Sequence, residues 1–405
     1  MKEPRVLYVL ANCSFPPSEG AHEQSLNLIR EISGRGVSCS LIAGFKEDAP
    51  FDASEFKKFA PLVDVETINC CRGSYTARLY LNCIAYLLKY RLGLPRTWFP
   101  KIIWQDFEVL SVAASKEHFY DCVHVEGVPF LPLVSRMLNR PRIVSTVDAW
   151  SLRQKRLFSS SSGLVGKIAR GMAWALANVV DAIFLRRERH VHVVSPSDSA
   201  YLRSCGVSGA FSIPIMLGSG ALSSPLDGSD RSGIYIYGDL QVSYIRDGVY
   251  QLLTSLSGIP GLSGDEIYVL GRRRPPSDLV AVTEQLNRRV NFISWVDDVD
   301  ESMRRAKFIL LPDLAGTGLK NRTIAALASG AVVIGTIAAF EGVGVVGGVD
   351  SIIYKKPAEA WKAVEYLQNR SSERSAIGEA GRLLALANYA PSVVTKSWLD
   401  IYRHT

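Results

Sequence analysis

Short runs of Val, Ile and Leu recur along the chain, each followed by a longer stretch in which apolar residues return every three or four positions. Continuous apolar runs read as strands buried on both faces and the longer spacing as helices, so the pattern predicts parallel sheets covered by helices. In the first half the predicted strands are Arg5 to Ala11, Val37 to Ala43, Cys122 to Glu126, Arg142 to Val147 and His190 to Ser195, with a helix over Ala21 to Ser33. From about Met216 to Ser232 the chain turns polar, and its SSPLDGSDRSG stretch reads as a linker. Beyond it, strands are predicted at Gly233 to Tyr237, Ile267 to Leu270, Val290 to Ile293, Phe308 to Leu311 and Val332 to Thr336. Helices are predicted near Asp247 to Leu256, Asp278 to Arg288, Asp300 to Arg305 and Arg322 to Ser329. A final amphipathic helix, Ser392 to Tyr402, is expected to return and brace the first domain. The expected division is a first α/β domain over 1–215, a linker over 216–232, a second α/β domain over 233–388 and the returning segment 389–405.

Length supports this division, since 405 residues exceed one ordinary hydrophobic core. With 47% hydrophobic and 21% charged residues the chain falls among ordered globular proteins. Thr323 to Phe340 carries no charge, but its Ala, Val and Ile are broken by Ser329, Gly330 and Gly335, which suits a buried helix, turn and strand better than a membrane span. The seven cysteines, at 13, 39, 70, 71, 83, 122 and 205, show no paired spacing and read as thiols in a reducing compartment. Charged Met1 to Arg5 runs directly into a strand without a signal-peptide pattern, so the expected location is the cytoplasm, peripheral to the inner membrane face at most. A net charge of +7 favours anionic partners without choosing among them. The basic residues match no nucleic-acid module, and none is expected as a partner.

The window Asp313 to Gly342 carries the clearest chemistry. A strand ends there in a loop holding Gly316 and Gly318 that opens a helix beginning near Lys320, Asn321 and Arg322. Glycines let backbone N–H groups approach an anion, the helix start adds its dipole, and Lys320 adds a full charge. The spacing is not that of a P-loop, and no GxGxxG follows the first strand, which disfavours a nucleoside triphosphatase and a dinucleotide dehydrogenase. The same window also reads as a tight strand-to-helix turn with solvated charges.

GTGLKNRTIAALASGAVVIGT, followed by Glu341 and Gly342, resembles the donor-site segment of GT-B glycosyltransferases of family 4. The resemblance implies two Rossmann-like domains with parallel sheets facing a central cleft. It also implies a retaining, metal-independent transfer of a sugar from a nucleoside-diphosphate sugar to a glycan, lipid-linked or small-molecule acceptor, with no other cofactor. Gly316, Thr317, Gly318, Leu319, Lys320 and Asn321 would lie near the donor diphosphate, with Glu341 and Gly342 beside them. Gly271 and Arg272 would form the nucleotide-side turn, and Gly238 with Asp239 resembles the family's Gly-Asn-Met turn. Arg246, in the next helix, is a phosphate candidate or a solvated helix residue. The chain departs from the family where its paired glutamates would fall, on Thr317 and Ala325, neither of which carries a carboxylate. That departure keeps open a catalytically degenerate binding subunit, with a GT-B nucleotide-sugar epimerase as a further alternative.

In the first domain, SEGAHE follows the first strand where the family places a glycine-bearing loop, which puts Gly20 and His22 near the donor. Asp148 follows the strand Arg142 to Val147 at the edge where ligands collect in open α/β sheets. His22 and Asp148 are therefore the expected catalytic pair, with Glu126 a weaker candidate by the same logic; a helix N-cap is the alternative for Asp148. The segment Tyr75 to Arg91, with Arg78, Lys89 and Arg91, then Trp98, Phe99, Lys101 and Trp104, reads either as a membrane-facing surface or as a core helix with a loop.

Overall fold

The computed structural model describes residues 3–17, 20–69, 74–161, 163–218, 220–222, 230–256, 266–271, 274–286, 290–294, 298–316 and 318–405. The chain divides into two compact units, one of Met1–Pro214 with Val394–Thr405 and one of Ile215–Val393. Unit 1 holds strands β1 (Arg5–Leu10), β2 (Ser38–Phe45), β3 (Asp64–Asn69), β4 (Cys122–Glu126), β5 (Arg142–Val147), β6 (Val191–Val193) and β7 (Ala210–Ser212). Its helices are α1 (Gly20–Ser33), α2 (Ala53–Phe59), α3 (Tyr75–Tyr86), α4 (Gln105–Lys116), α5 (Leu131–Met137), α6 (Trp150–Ser160), α7 (Leu164–Ile183) and α8 (Pro196–Ser204). Unit 2 holds β8 (Ser232–Tyr237), β9 (Ile267–Leu270), β10 (Val290–Ile293), β11 (Ala306–Leu311), β12 (Val332–Thr336) and β13 (Ile352–Tyr354). Its helices are α9 (Ser243–Ser255), α10 (Ser277–Gln285), α11 (Val299–Arg305), α12 (Asn321–Ala328), α13 (Pro357–Gln368) and α14 (Ser371–Tyr389), before α15 (Pro391–His404) closes the chain.

The sheet of unit 1 runs β3-β2-β1-β4-β5-β6-β7 and that of unit 2 runs β10-β9-β8-β11-β12-β13, with parallel neighbours throughout. Both orders reverse direction once, between β1 and β4 and between β8 and β11, which makes each a doubly wound α/β sheet with a switch point at its strand C-termini. Helices on both faces explain why Val6 through Leu10 and Phe308 through Leu311 are each no more than 1% exposed. The expected α/β architecture is borne out. The stretch Thr323 to Phe340 becomes α12, a turn, buried β12 and a further turn.

Two arginines take places that the sequence left open. Arg231, expected in the linker, is buried and donates to the carbonyls of Ala306 (3.2 Å) and Ser329 (2.8 Å), because it fills the gap between the start of β11 and the end of α12. Arg78 is not on a surface either: it is 1% exposed, and its guanidinium forks onto the carboxylate of Asp106, itself 2% exposed. Asn82, one helical turn further along α3, donates to the same carboxylate at 2.7 Å and to the carbonyl of Pro129 at 2.8 Å. Trp104 is also core. Cys13, Cys39 and Cys122 are buried and Cys83 and Cys205 half-buried, none of them in a disulfide; Cys70 and Cys71 lie outside the described residues.

The helix α15 does return to unit 1. Trp398 and Tyr402 are 3% exposed, their rings against His124 and His192. The Tyr402 hydroxyl lies 2.7 Å from that of Tyr8 and 2.6 Å from Nδ1 of His124. His192 donates through Nε2 to the Ile213 carbonyl (2.9 Å), so its Nδ1 accepts from the Ser145 hydroxyl (2.8 Å). Burial drives both imidazole pKa values down, that of His192 to about 4, so both rings are neutral in the clasp.

Candidate functional site

At the strand C-termini of unit 1 the chain leaves β1 through Asn12, which takes a positive φ of 59° and is buried. Its side-chain oxygen has no hydrogen-bond partner among the described residues, a condition that ligand-binding edges tolerate better than cores. His22, in the first turn of α1, is 2% exposed and donates through Nε2 to the carbonyl of Ala11 at 3.1 Å, which leaves Nδ1 as the acceptor nitrogen. On the same helix Ser25 donates to the Glu126 carboxyl at the end of β4. Strand β5 ends at Val147 with a positive φ of 66° and a register shift against β6. A β-branched residue in that region costs about 1 to 3 kcal/mol and is held only where the surroundings demand it. Asp148 follows at once, half-buried, its N–H donating to the Thr146 carbonyl at 2.8 Å. It does not cap α6, whose N-cap is Ala149 with no side-chain cap bond. Gly20 opens α1.

Burial raises the Glu126 pKa from 4.5 to about 7, against a smaller lowering by Ser25. A carboxyl whose folded pKa exceeds its unfolded value holds an extra proton in the fold, so its contribution to stability is full below about 4.5 and is lost as pH rises to about 7. Glu126→Gln removes this titration. The stability difference between Glu126→Gln and wild type, measured by urea unfolding across pH, is expected to climb from pH 4.5 to pH 7 and then level. A difference constant with pH would mean that Glu126 is ionised in the fold.

In unit 2 the corresponding edge is built from glycines. The N–H of Gly238, after β8, donates to the Leu270 carbonyl (3.1 Å), and that of Gly271, after β9, to Ile293 (3.1 Å). The two glycines are adjacent: a Cβ on Gly271 would sit 3.5 Å from the Gly238 carbonyl oxygen. After β11, Asp313 is fully buried, pairs with Arg322 and accepts from Thr336 through its carbonyl. Arg322 is thereby committed to holding the loop. Gly316 (φ 130°) and Gly318 (φ 72°) then occupy backbone conformations open to glycine. Their turn ends on α12, for which Lys320 is the N-cap residue without a side-chain cap bond. The amides of Gly318 and Leu319 have no hydrogen-bond partner among the described residues. Lys320 is 9% exposed; its stem lies against Gly316, whose Cβ would be 3.3 Å from the Lys320 Cε, and its ammonium donates to the Ala338 carbonyl at 2.6 Å. Lys320 therefore ties the glycine turn to the turn after β12, where half-buried Glu341 and exposed Gly342 (φ 78°) follow. The Tyr244 hydroxyl of α9 lies 3.5 Å from the same Gly316 position. Arg246, in the first turn of α9, is partly exposed with Asp247 at 3.6 Å.

A glycine-lined strand edge facing a helix start in a 3-2-1-4-5-6 sheet is the frame of a nucleotide domain. Residues 234–369, nearly the whole of this sheet and its helices, match the family model described as glycosyl transferases group 1. Among solved structures the whole chain is similar to sucrose-phosphate synthase from Thermosynechococcus elongatus, with a TM-score of 0.70 and 16% identity over 99% of this chain and 98% of that one. It is also similar to Anabaena HepE in complex with UDP (0.68, 13%, covering 99% and 100%) and to a glycosyltransferase from Rickettsia africae (0.65, 11%, covering 100% and 99%). The chain has the GT-B fold, and its residues 234–369 are similar to a group 1 glycosyltransferase domain. No curated protein matches it in sequence.

Of the donor residues expected in this GT-B chain, Gly316, Gly318, Leu319, Lys320, Asn321, Glu341 and Gly342 fall on two neighbouring turns linked by Lys320, and Gly238 and Gly271 on one adjacent pair. Arg272 and Thr317 lie outside the described residues. Sequence reasoning missed Asn12, Ser25, Tyr244 and the Asp313–Arg322 pair. Asn12 had a signal, because an Asn directly after a strand tolerates positive φ. The pairing of Ser25 with Glu126 had none, the two being 101 positions apart. Among the described residues no group of three His, Cys, Asp or Glu side chains gathers as a metal-ligand set.

Proposed function

We propose that the chain is a glycosyltransferase that takes a sugar from a nucleoside-diphosphate sugar held by unit 2 and passes it to an acceptor recognised by unit 1, with retention and without a metal. The observation that carries this reading is the glycine turn Gly316–Lys320 at the mouth of α12, inside the segment matched by the glycosyltransferase model. As the donor bond breaks, negative charge grows on the leaving diphosphate. The Gly318 and Leu319 amides, the α12 dipole and the positive charge of Lys320, whose ammonium ties this turn to Ala338, are placed to neutralise it. In unit 1, His22, Glu126 and Asp148 mark the edge where the acceptor hydroxyl would be oriented, Glu126 with a pKa near neutrality. UDP-sugars are the first donors to test, because HepE is known in complex with UDP-glucose. The cytoplasm is the proposed location.

Turnover of a panel of nucleotide sugars, read as nucleotide release with and without acceptor, tests the reading. Release from no donor, with binding retained, would support instead a binding subunit, a reading favoured by the absence of a carboxylate at Thr317 and Ala325. Absence of both binding and release would remove the enzyme claim. Lys320→Ala is expected to weaken nucleoside-diphosphate binding by about 1 to 3 kcal/mol, the scale of a charge-assisted hydrogen bond, by calorimetric titration. Unchanged affinity would place Lys320 outside the site.

A further inference from the structure

The helix α7 is apolar where it should be polar. Along its solvent face Leu164, Val165, Ile168, Met172, Val179 and Ile183 are between 37% and 82% exposed, and at 100° per residue they fall within about a third of the helical circumference. The stripe runs the length of a 20-residue helix, about 30 Å. The stretch Leu164–Arg187 is long and apolar enough to cross a membrane, yet the helix does not stand free to do so. Its opposite face buries Ala177 and Val180, and Val180 with the following Phe184 and Leu185 belongs to the core that contains Val144 and Val191. A helix fixed along one side in a folded unit can only lie flat on a surface.

Charge identifies that surface. From Ala149 to Val180, through α6 and nearly all of α7, there is no Asp or Glu, whereas Arg153, Lys155, Arg156, Lys167 and Arg170 are all basic. At the C-terminal end of α7, Phe184 meets Tyr86 of α3 with ring centroids 5.3 Å apart, and the Arg91 guanidinium lies 5.8 Å from the Tyr86 ring. An exposed apolar stripe on a helix pair that carries five cations and no carboxylate before Asp181, with Lys155 and Lys167 exposed, complements a surface with acyl chains below and phosphates above. A protein partner would need no such excess of one sign.

We infer that α6 and α7 form a docking surface for an anionic phospholipid bilayer, with the α7 stripe sunk to the headgroup boundary and the exposed Lys155 and Lys167 reaching lipid phosphates. The inference stands apart from the transferase reading, because it uses no donor or acceptor residue and is read by binding alone.

The test is flotation of the full chain with vesicles of phosphatidylcholine alone and with roughly one third phosphatidylglycerol. Wild type is expected to float with the anionic vesicles, and less so in raised salt. The double substitution Ile168→Glu and Met172→Glu, at exposed positions that leave the core intact, is expected to cut binding at least about tenfold. Lys155→Glu with Lys167→Glu should cut it by roughly fivefold per charge and leave any binding to neutral vesicles unchanged. Leu383→Glu, at a 58% exposed position in unit 2, should change nothing. Absence of flotation with either vesicle, or binding that survives both double variants, would overturn the inference. So would a vesicle-independent dimer in light scattering that Ile168→Glu with Met172→Glu dissociates, because the stripe would then belong to a second copy.

Discussion

Replacing Gly248 by alanine is expected to cost about 3 kcal/mol of stability, the upper part of the range for overpacking a closed contact, and to weaken nucleotide binding with it. A Cβ at Gly248 would sit 1.8 Å from the Pro312 carbonyl oxygen and 2.9 Å from its carbon. Both atoms are backbone, so nothing can turn aside, and α9 must lift from the end of β11. Pro312 precedes Asp313, whose pairing with Arg322 holds the Gly316–Lys320 turn, and α9 carries Tyr244 beside that turn. One methyl therefore reaches the donor edge through two packed elements. Gly166→Ala, at a helical position with nothing within 4 Å, is the control and should be neutral or slightly stabilising. Denaturant unfolding and nucleotide titration of both variants decide the matter. A Gly248→Ala protein of full stability and full affinity would mean that the approach of α9 to Pro312 does not position the turn.

Asp106→Ala is expected to destabilise unit 1 by about 3 to 5 kcal/mol, because it strands a buried guanidinium. Arg78 and Asp106 are 1% and 2% exposed, so no solvent replaces the lost carboxylate, and Asn82 loses an acceptor as well. The pair is costly to break, not costly to replace: Arg78→Met with Asp106→Leu should recover much of the loss. Thermal or urea unfolding of the two variants measures this. A single variant within about 1 kcal/mol of wild type, the scale of an exposed ion pair, would show that water reaches the site.

These two sites mark what the sequence could and could not reveal. Strands such as Val6–Leu10 and Phe308–Leu311 were legible because burial on both faces leaves an unbroken apolar run. The strands β3, β7 and β13 were not, since two are only three residues long and β3, DVETIN, is an edge strand with no fully buried residue. The glycine turn before α12 was legible because its positive φ angles call for glycine at fixed places. Arg78's partner was not legible, for the opposite reason. Composition sees a cation among Tyr and Leu, whereas the fold aims it at a carboxylate 28 positions away, and no local spacing announces such a partner. The same limit hid the stripe on α7, since the amphipathic pattern looks identical whether its apolar side meets a core or the outside.

The clasp made by α15 sets an order of events during synthesis. Unit 1 needs Trp398 and Tyr402 to cover His124, His192 and Tyr8, and those two side chains belong to residues 394–405. A nascent chain that has already produced every strand of the first sheet still shows an open aromatic seam while the ribosome translates the whole of unit 2. The first domain to emerge is thus the last to finish, and its nascent form is the one for which a chaperone has something to cover.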